Sequence, residues 1–192
     1  MIYLKRWIAK EWRNLLMADM GHFIRTYQSC HSTFKETSYD SDNREYLCTD
    51  ESQKVVNFDK IIEAKYPDSN VRPKSFDTLF VYENIIFCVE FKNQKKPDKQ
   101  EVEAKLLDGK KELNVLLSDL NISSNNYRFV FCLVYNKFIP KEERYKQGLH
   151  KSIRFEFLNQ YKENGFVSDV YTEDVEFFTK QFNKQFQKEL AC

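Results

Sequence analysis

Phe76-Asp77-Thr78-Leu79-Phe80-Val81-Tyr82-Glu83-Asn84-Ile85-Ile86-Phe87-Cys88-Val89-Glu90-Phe91-Lys92 is the stretch on which the fold turns. It holds two dense runs, Phe76–Tyr82 and Ile85–Lys92, rich in Phe, Val, Ile and Tyr and too short for ordinary helices. Only Glu83-Asn84 separates them, a two-residue hairpin turn without the favoured glycine. With that turn, facing residues have numbers that sum to 167, so Tyr82 faces Ile85 and Asp77 faces Glu90. Side chains alternate along a strand. Asp77, Leu79, Val81, Ile86, Cys88, Glu90 and Lys92 therefore share one face, and Phe80, Phe87, Val89 and Phe91 the other. Both faces are apolar, which predicts a sheet covered on both sides.

Upstream, residues 54–66 carry a helical stripe of Val55, Phe58, Ile62 and Tyr66, stopped by Pro67-Asp68. Downstream, 98–120 is the strongest helical pattern in the chain, with Val102, Leu106, Leu113, Leu116, Leu117 and Leu120 on its buried side. The unbroken apolar run Tyr127–Tyr135 reads as a central strand buried on both faces. A short helix at 142–150, a strand at 153–158 and an amphipathic helix at 173–190 (Val175, Phe178, Phe182, Phe186) complete the C-terminal part. At the other end, Leu4, Ile8, Trp12, Leu15 and Leu16 predict a helix over 2–18, packed on its own domain. Residues 32–53 are polar, lack a sustained period and read as a long surface loop. The expectation is one α/β domain over 1–192: a mixed sheet with a β-hairpin and a central strand, flanked by helices.

Composition sets limits on function. The chain has 192 residues, 42% hydrophobic and 16% aromatic, enough for one full core and short for two domains. Four Gly and four Pro argue against a turn-rich all-β fold. A net charge of +1 projects no global field toward a polyanion and leaves room for a local one. Cysteines at 30, 48, 88, 132 and 192 show no close pairing, so neither a zinc knuckle nor a disulfide framework is expected. The opening residues lack the apolar core of a secretory leader, and no run is long enough to span a membrane. A reducing cytoplasm and no membrane partner are the expectations.

The chemistry lies at the open end of the hairpin. Directly opposed residues sit about 4.5–5.5 Å apart at Cβ, so Asp77 and Glu90 would repel each other unless something positive joined them. A divalent cation does this, since hard Mg²⁺ prefers carboxylate oxygens and keeps waters of its own. Asp77, twelve residues, then Glu90-Phe91-Lys92 resembles the signature of the PD-(D/E)XK nuclease superfamily. The flanking helices and strand over 54–135 resemble its αβββαβ, restriction-endonuclease-like core. Residues 1–53 and 136–192 would be elaborations. Phe76 stands where that signature has Pro, and the literal Pro67-Asp68 is a rival that cannot face Glu90 across a tight hairpin.

The resemblance implies roles. Asp77, Glu90 and the backbone carbonyl of Phe91 would bind Mg²⁺ or Mn²⁺. Lys92 would orient or help deprotonate the attacking water and stabilise phosphoryl charge. Glu63, on the preceding helix, would enter the same site, with Asp59 one turn earlier as its substitute. The expected function is metal-dependent endonucleolytic hydrolysis of phosphodiester bonds in DNA. The alternative is a catalytically weak binding or immunity-type module on the same fold. A third reading, a cap-snatching-like RNA endonuclease, rests on His22 alone. Lys95, Lys96 and Lys99 after the motif form a positive segment suited to phosphate. Glu101, Glu103, Lys105, Lys110 and Lys111 read as a solvated helix face with i,i+4 pairs. Sequence leaves a homodimer unsettled.

Overall fold

The computed structural model describes residues 18–93, 98–136, 155–186 and 192. In it, β5 (Thr78–Tyr82) and β6 (Ile85–Lys92) form the hairpin, with Tyr82 paired to Ile85 and Thr78 to Val89. Glu83 takes a φ of 52°, the left-handed conformation that a two-residue hairpin turn requires and that glycine usually supplies. Beyond β6 the chain forms α4 (Lys99–Asp119) and returns as β7 (Arg128–Tyr135), parallel to β6 with Ile85 beside Arg128 and Lys92 beside Tyr135. Asp98 caps α4, its carboxylate accepting from the N–H groups of Gln100 and Glu101. At the other end Asn121 (φ 58°) lets the Ile122 N–H reach the Leu117 carbonyl, which closes the helix.

The sheet has six strands. To the hairpin and β7 it adds β1 (His31–Thr33) and β4 (Lys54–Asn57) on one side and β8 (Asp169–Asp174) on the other, in the order β1-β4-β5-β6-β7-β8. The first three pairings are antiparallel and the last two parallel, so the sheet is mixed. Its faces separate as the alternation requires. Leu79, Ile86, Cys88, Phe131 and Leu133 join one cluster with Phe23 of α1 (residues 18–26), Phe58 and Ile62 of α3 (Phe58–Lys65) and the apolar side of α4. Phe80, Phe87, Val89, Phe91, Val130 and Cys132 join a second with Phe34 of α2 (Phe34–Thr37) and Phe182 and Phe186 of α6 (Val175–Phe186). The architecture is α/β, helices on both faces of a mixed sheet.

Several expectations change. Residues 54–57 are strand, not helix, because Val55 and Val56 bury on opposite faces between β1 and β5 while Asn57 caps α3. The 32–53 segment is ordered around Phe34, which is fully buried. A reciprocal cap between Thr33 and Glu36 opens α2, and the paired β2 (Tyr39–Asp40) and β3 (Glu45–Tyr46) follow. Of the strand expected at 153–158, residues 153 and 154 lie outside the described residues and 156–158 form a 3₁₀ turn leading into α5 (Asn159–Glu163), while the edge strand is β8. The last helix accordingly begins at Val175 rather than 173. Cys48 and Cys192, 144 residues apart, form a disulfide that no close spacing announced. The helices expected at 2–18 and 142–150 lie outside the described residues, apart from residue 18. Among the described residues no helix is long and apolar enough to cross a membrane.

Candidate active site

Phe76 sets the position of Asp77. Its ring is fully buried, stacked on Phe58 with centroids 4.5 Å apart, and fills the space left by the missing side chain of Gly109 in α4. The backbone then locks: the Phe58 N–H donates to the Asp77 carbonyl at 3.0 Å. The hairpin ladder stops at Thr78–Val89, and the Asp77 carboxylate takes the next place on β6, Oδ2 accepting from the Phe91 N–H at 2.6 Å. Phe91 itself turns its ring to the opposite face, against Phe34. Asp77 thus stands beside Glu90, as the register requires.

The two carboxylates share a cation, and that cation is Lys105. Its Nζ lies 2.8 Å from Glu90 Oε1 and 3.4 Å from Asp77 Oδ1, with the side chain only 16% exposed. Lys92 Nζ approaches the same Glu90 Oε1 at 3.1 Å and Glu101 Oε1 at 2.8 Å. Asp59, in the first turn of α3, accepts from the Ser75 hydroxyl, and its charge acts on Asp77. Asp59, Asp77, Glu90, Lys92, Glu101 and Lys105 therefore make one cluster, at the carboxyl end of β6.

Glu90 is the most buried member, with no exposed surface. The lysines meet its Oε1 as charge contacts, off hydrogen-bond alignment, and Oε2 has no donor. Burial, then the Asp77 charge, raises its pKa to about 7 against the pull of both lysines. Asp77 is raised to about 6, by burial first and then by Asp59. Burial acts to lower the Lys105 pKa, and the joint attraction of Glu90, Asp77 and Asp59 overrides it and holds the ammonium well above its ordinary range. Lys92 behaves alike: burial lowers it, Glu90 and Glu101 more than restore it. Both lysines are fixed positive charges.

Glu63 is not brought to the cluster. It is exposed and pairs with Arg72 at 3.0 Å. The reason is the true start of α3: since 54–57 is strand, the first helical turn abuts Asp77 and Asp59 occupies the place expected of Glu63. Asp68 is exposed in a turn, where it accepts from Asn70. His22 is exposed on α1, and none of the contacts that join the cluster includes it. Lys105 and Glu101, expected on a solvated face, belong to the site. Spacing held a signal for Lys105, three residues after Val102 and four before Gly109, both buried: it stands on the buried stripe of α4. Lys95 and Lys96 fall outside the described residues. Cys88 and Cys132 are buried, which pushes both thiols up and leaves no activated nucleophile there.

For a metal the donor chemistry fits. Carboxylate oxygens suit a hard divalent ion, and the buried, donorless Oε2 of Glu90 is an atom in want of a partner. The room is another matter: among the described residues no three Asp, Glu, His or Cys side chains converge as a ready cage. Lys105 stands between the two carboxylates that would start one. No protein-family model, curated protein or solved structure matches this chain.

Proposed function

We propose that the chain is a metal-dependent nuclease with a restriction-endonuclease-like core, a PD-(D/E)XK enzyme that hydrolyses phosphodiester bonds of DNA. The observation that carries this reading is the meeting of Asp77 and Glu90 at one ammonium, with Lys92 alongside on the same strand face. The site's position adds support, because open sheets bind ligands at the carboxyl ends of parallel strands and Glu90 and Lys92 end the parallel strand β6.

In this reading Asp77, Glu90 and the Phe91 carbonyl hold Mg²⁺ or Mn²⁺. Bound there, such an ion polarises the phosphoryl group and activates water. Lys92, held between Glu90 and Glu101, is a positioned cationic donor. It orients the attacking water and takes up charge developing on the phosphoryl oxygens, interactions strongest in the transition state. Asp59, fixed by the Ser75 hydroxyl, adds a third carboxylate beside Asp77. Glu63 has no part in it.

The test is cleavage of single-stranded, duplex and branched DNA, and of RNA, with Mg²⁺, Mn²⁺ or chelator. Turnover should need the metal, and Lys92→Ala should lower kcat by about 10²–10³-fold while metal binding persists. RNA cleavage alone would favour the cap-snatching-like alternative. A binding or immunity-type module is the second reading, favoured by one observation: Lys105 fills the centre of the acid pair. Metal-independent traces of activity, equal in wild type and Lys92→Ala, would put it first.

A further inference from the structure

We propose that Lys105 is a built-in counter-cation that holds the acid site closed to metal, and that a divalent ion enters by exchanging with it. The inference rests on the reading of Asp77 and Glu90 as the metal-holding pair and adds a regulation of that site.

Three observations carry it. Among the described residues Lys105 is the one cation that contacts both Asp77 and Glu90; Lys92 contacts Glu90 alone. A divalent ion between the same oxygens would stand within a few ångströms of the Lys105 charge, with little solvent there to screen it. The two cannot both occupy the pair. Second, Glu90 Oε2 is buried and without a donor while Oε1 faces two lysines. The ammonium groups reach only one edge of this carboxylate, off hydrogen-bond alignment, and leave the other without a donor, so the lysine-filled state is a poor final partner. Third, an exit is at hand. Glu101 lies one helical turn before Lys105, the i,i+4 spacing at which helical ion pairs form. Its charge already acts with that of Lys105 across this spacing. The flexible lysine stem can swing along α4 to Glu101 without disturbing the helix, while Lys92 stays on Glu90.

The exchange gives the site two closed-shell states. Metal-free, Lys105 neutralises carboxylates that would otherwise face each other across the hairpin. Metal-loaded, Lys105 is released toward half-exposed Glu101, where its charge is open to an incoming phosphate. Metal affinity is then set by how readily the lysine leaves, not by the carboxylates alone.

Mn²⁺ binding to the full chain, followed by calorimetry, tests this with Lys105→Met, which keeps the apolar stem and removes the charge. Lys105→Met should bind Mn²⁺ at least about tenfold more tightly than wild type, the low end of the effect of one adjacent unit charge. Its metal-free melting temperature should be lower, and saturating Mn²⁺ should raise it more than in wild type. Mn²⁺ binding of equal or weaker affinity in a folded Lys105→Met overturns the exchange and leaves the metal reading intact. No Mn²⁺ binding by either protein defeats both. Should Lys105→Met fail to fold, the wild type decides the question. The ammonium ¹⁵N–¹H signal of Lys105, assigned by its loss in Lys105→Arg, should be protected without metal and shift with saturating Mg²⁺ as it leaves Asp77 and Glu90 for Glu101. An unmoved signal at saturation refutes the proposal.

Discussion

Gly109→Ala tests how the fold places the site. In an exposed helix this change stabilises by about 1 kcal/mol, since alanine is the better helix former. Here an added Cβ would stand 2.6 Å from Phe76 Cδ1, 2.7 Å from Cε1 and 3.4 Å from the Phe76 nitrogen. Carbon atoms in contact prefer about 3.5–4.0 Å, so the ring must retreat by roughly an ångström. Phe58 blocks it, stacked 4.5 Å away at 15° to the ring plane, and Phe76 has no exposed surface. Overpacking of this kind costs about 1–3 kcal/mol. Set against the helix gain, the expected net loss is up to about 2 kcal/mol, or up to roughly 8 °C in melting temperature for a chain of this size. Thermal and urea unfolding measure it. Because Phe76 precedes Asp77, Mn²⁺ affinity should weaken as well, and Phe76→Leu in the same chain should restore part of both losses. A higher melting temperature in Gly109→Ala, with Mn²⁺ affinity unchanged, would refute the claim that Phe76 seated on α4 sets the position of Asp77.

Three further outcomes follow from the same geometry. Glu90 is raised from its ordinary 4.5 to about 7, so its stabilising contribution is complete below the lower value and lost as pH rises through the upper one. Metal-free wild type should lose up to about 3 kcal/mol on that account between pH 4.5 and 8; urea unfolding of Glu90→Gln should show a flatter profile, and an identical one would count against a buried charge. Asp77→Ala should destabilise the metal-free protein, because it orphans the Phe91 N–H as well as removing a charge; a gain in unfolding free energy would mean that repulsion from Glu90 dominates. Reducing the Cys48–Cys192 disulfide, or Cys48→Ser, should lower stability by about 2–4 kcal/mol, read as a melting shift that reductant produces in wild type and not in Cys48→Ser.

The hairpin was legible because its signals are local. Turn length, alternation and the pairing of Tyr82 with Ile85 follow from neighbours in sequence, and they carried Asp77, Glu90 and Lys92 to one face. The long helix was legible for the same reason, from its apolar stripe between Val102 and Leu120. Residues 54–57 misled because a strand buried on both faces and a helical turn both show apolar residues, and the four-residue span of β4 is too short for periodicity to decide. That shift of one turn moved the helix acid from Asp59 to Glu63. Strand β8 hides in the polar run Asp169–Asp174, where pairing to β7 rather than side-chain pattern makes the strand. The disulfide joins residues 144 apart and has no local signature. Lys105 was misjudged on composition: in a lysine-rich helix a charged residue on the buried stripe resembles the solvated ones until Gly109 and Val102 fix which side faces the sheet.

Charge bookkeeping bears on whether this cluster is an ornament of the fold or a site. Asp59, Asp77, Glu90 and Glu101 bring four negative charges, and Lys92 and Lys105 two positive ones. Fully ionised, the cluster is two charges short of neutral. It can close the gap by binding protons, which the raised values of Asp77 and Glu90 reflect, or by taking up one divalent ion. A structural salt bridge has no reason to carry such a deficit, since buried ion pairs add little to stability and apolar residues of like volume serve a core better. This cluster sits at the margin of a core otherwise built from Phe, Leu, Ile and Val, and its most buried carboxylate lacks a donor on one oxygen. Desolvated acids with raised pKa values and lysines beside them make this cluster the candidate site of the fold. On the proposed reading, a divalent ion would fill that deficit of two, with Lys105 shifted toward Glu101 and still counted within the cluster.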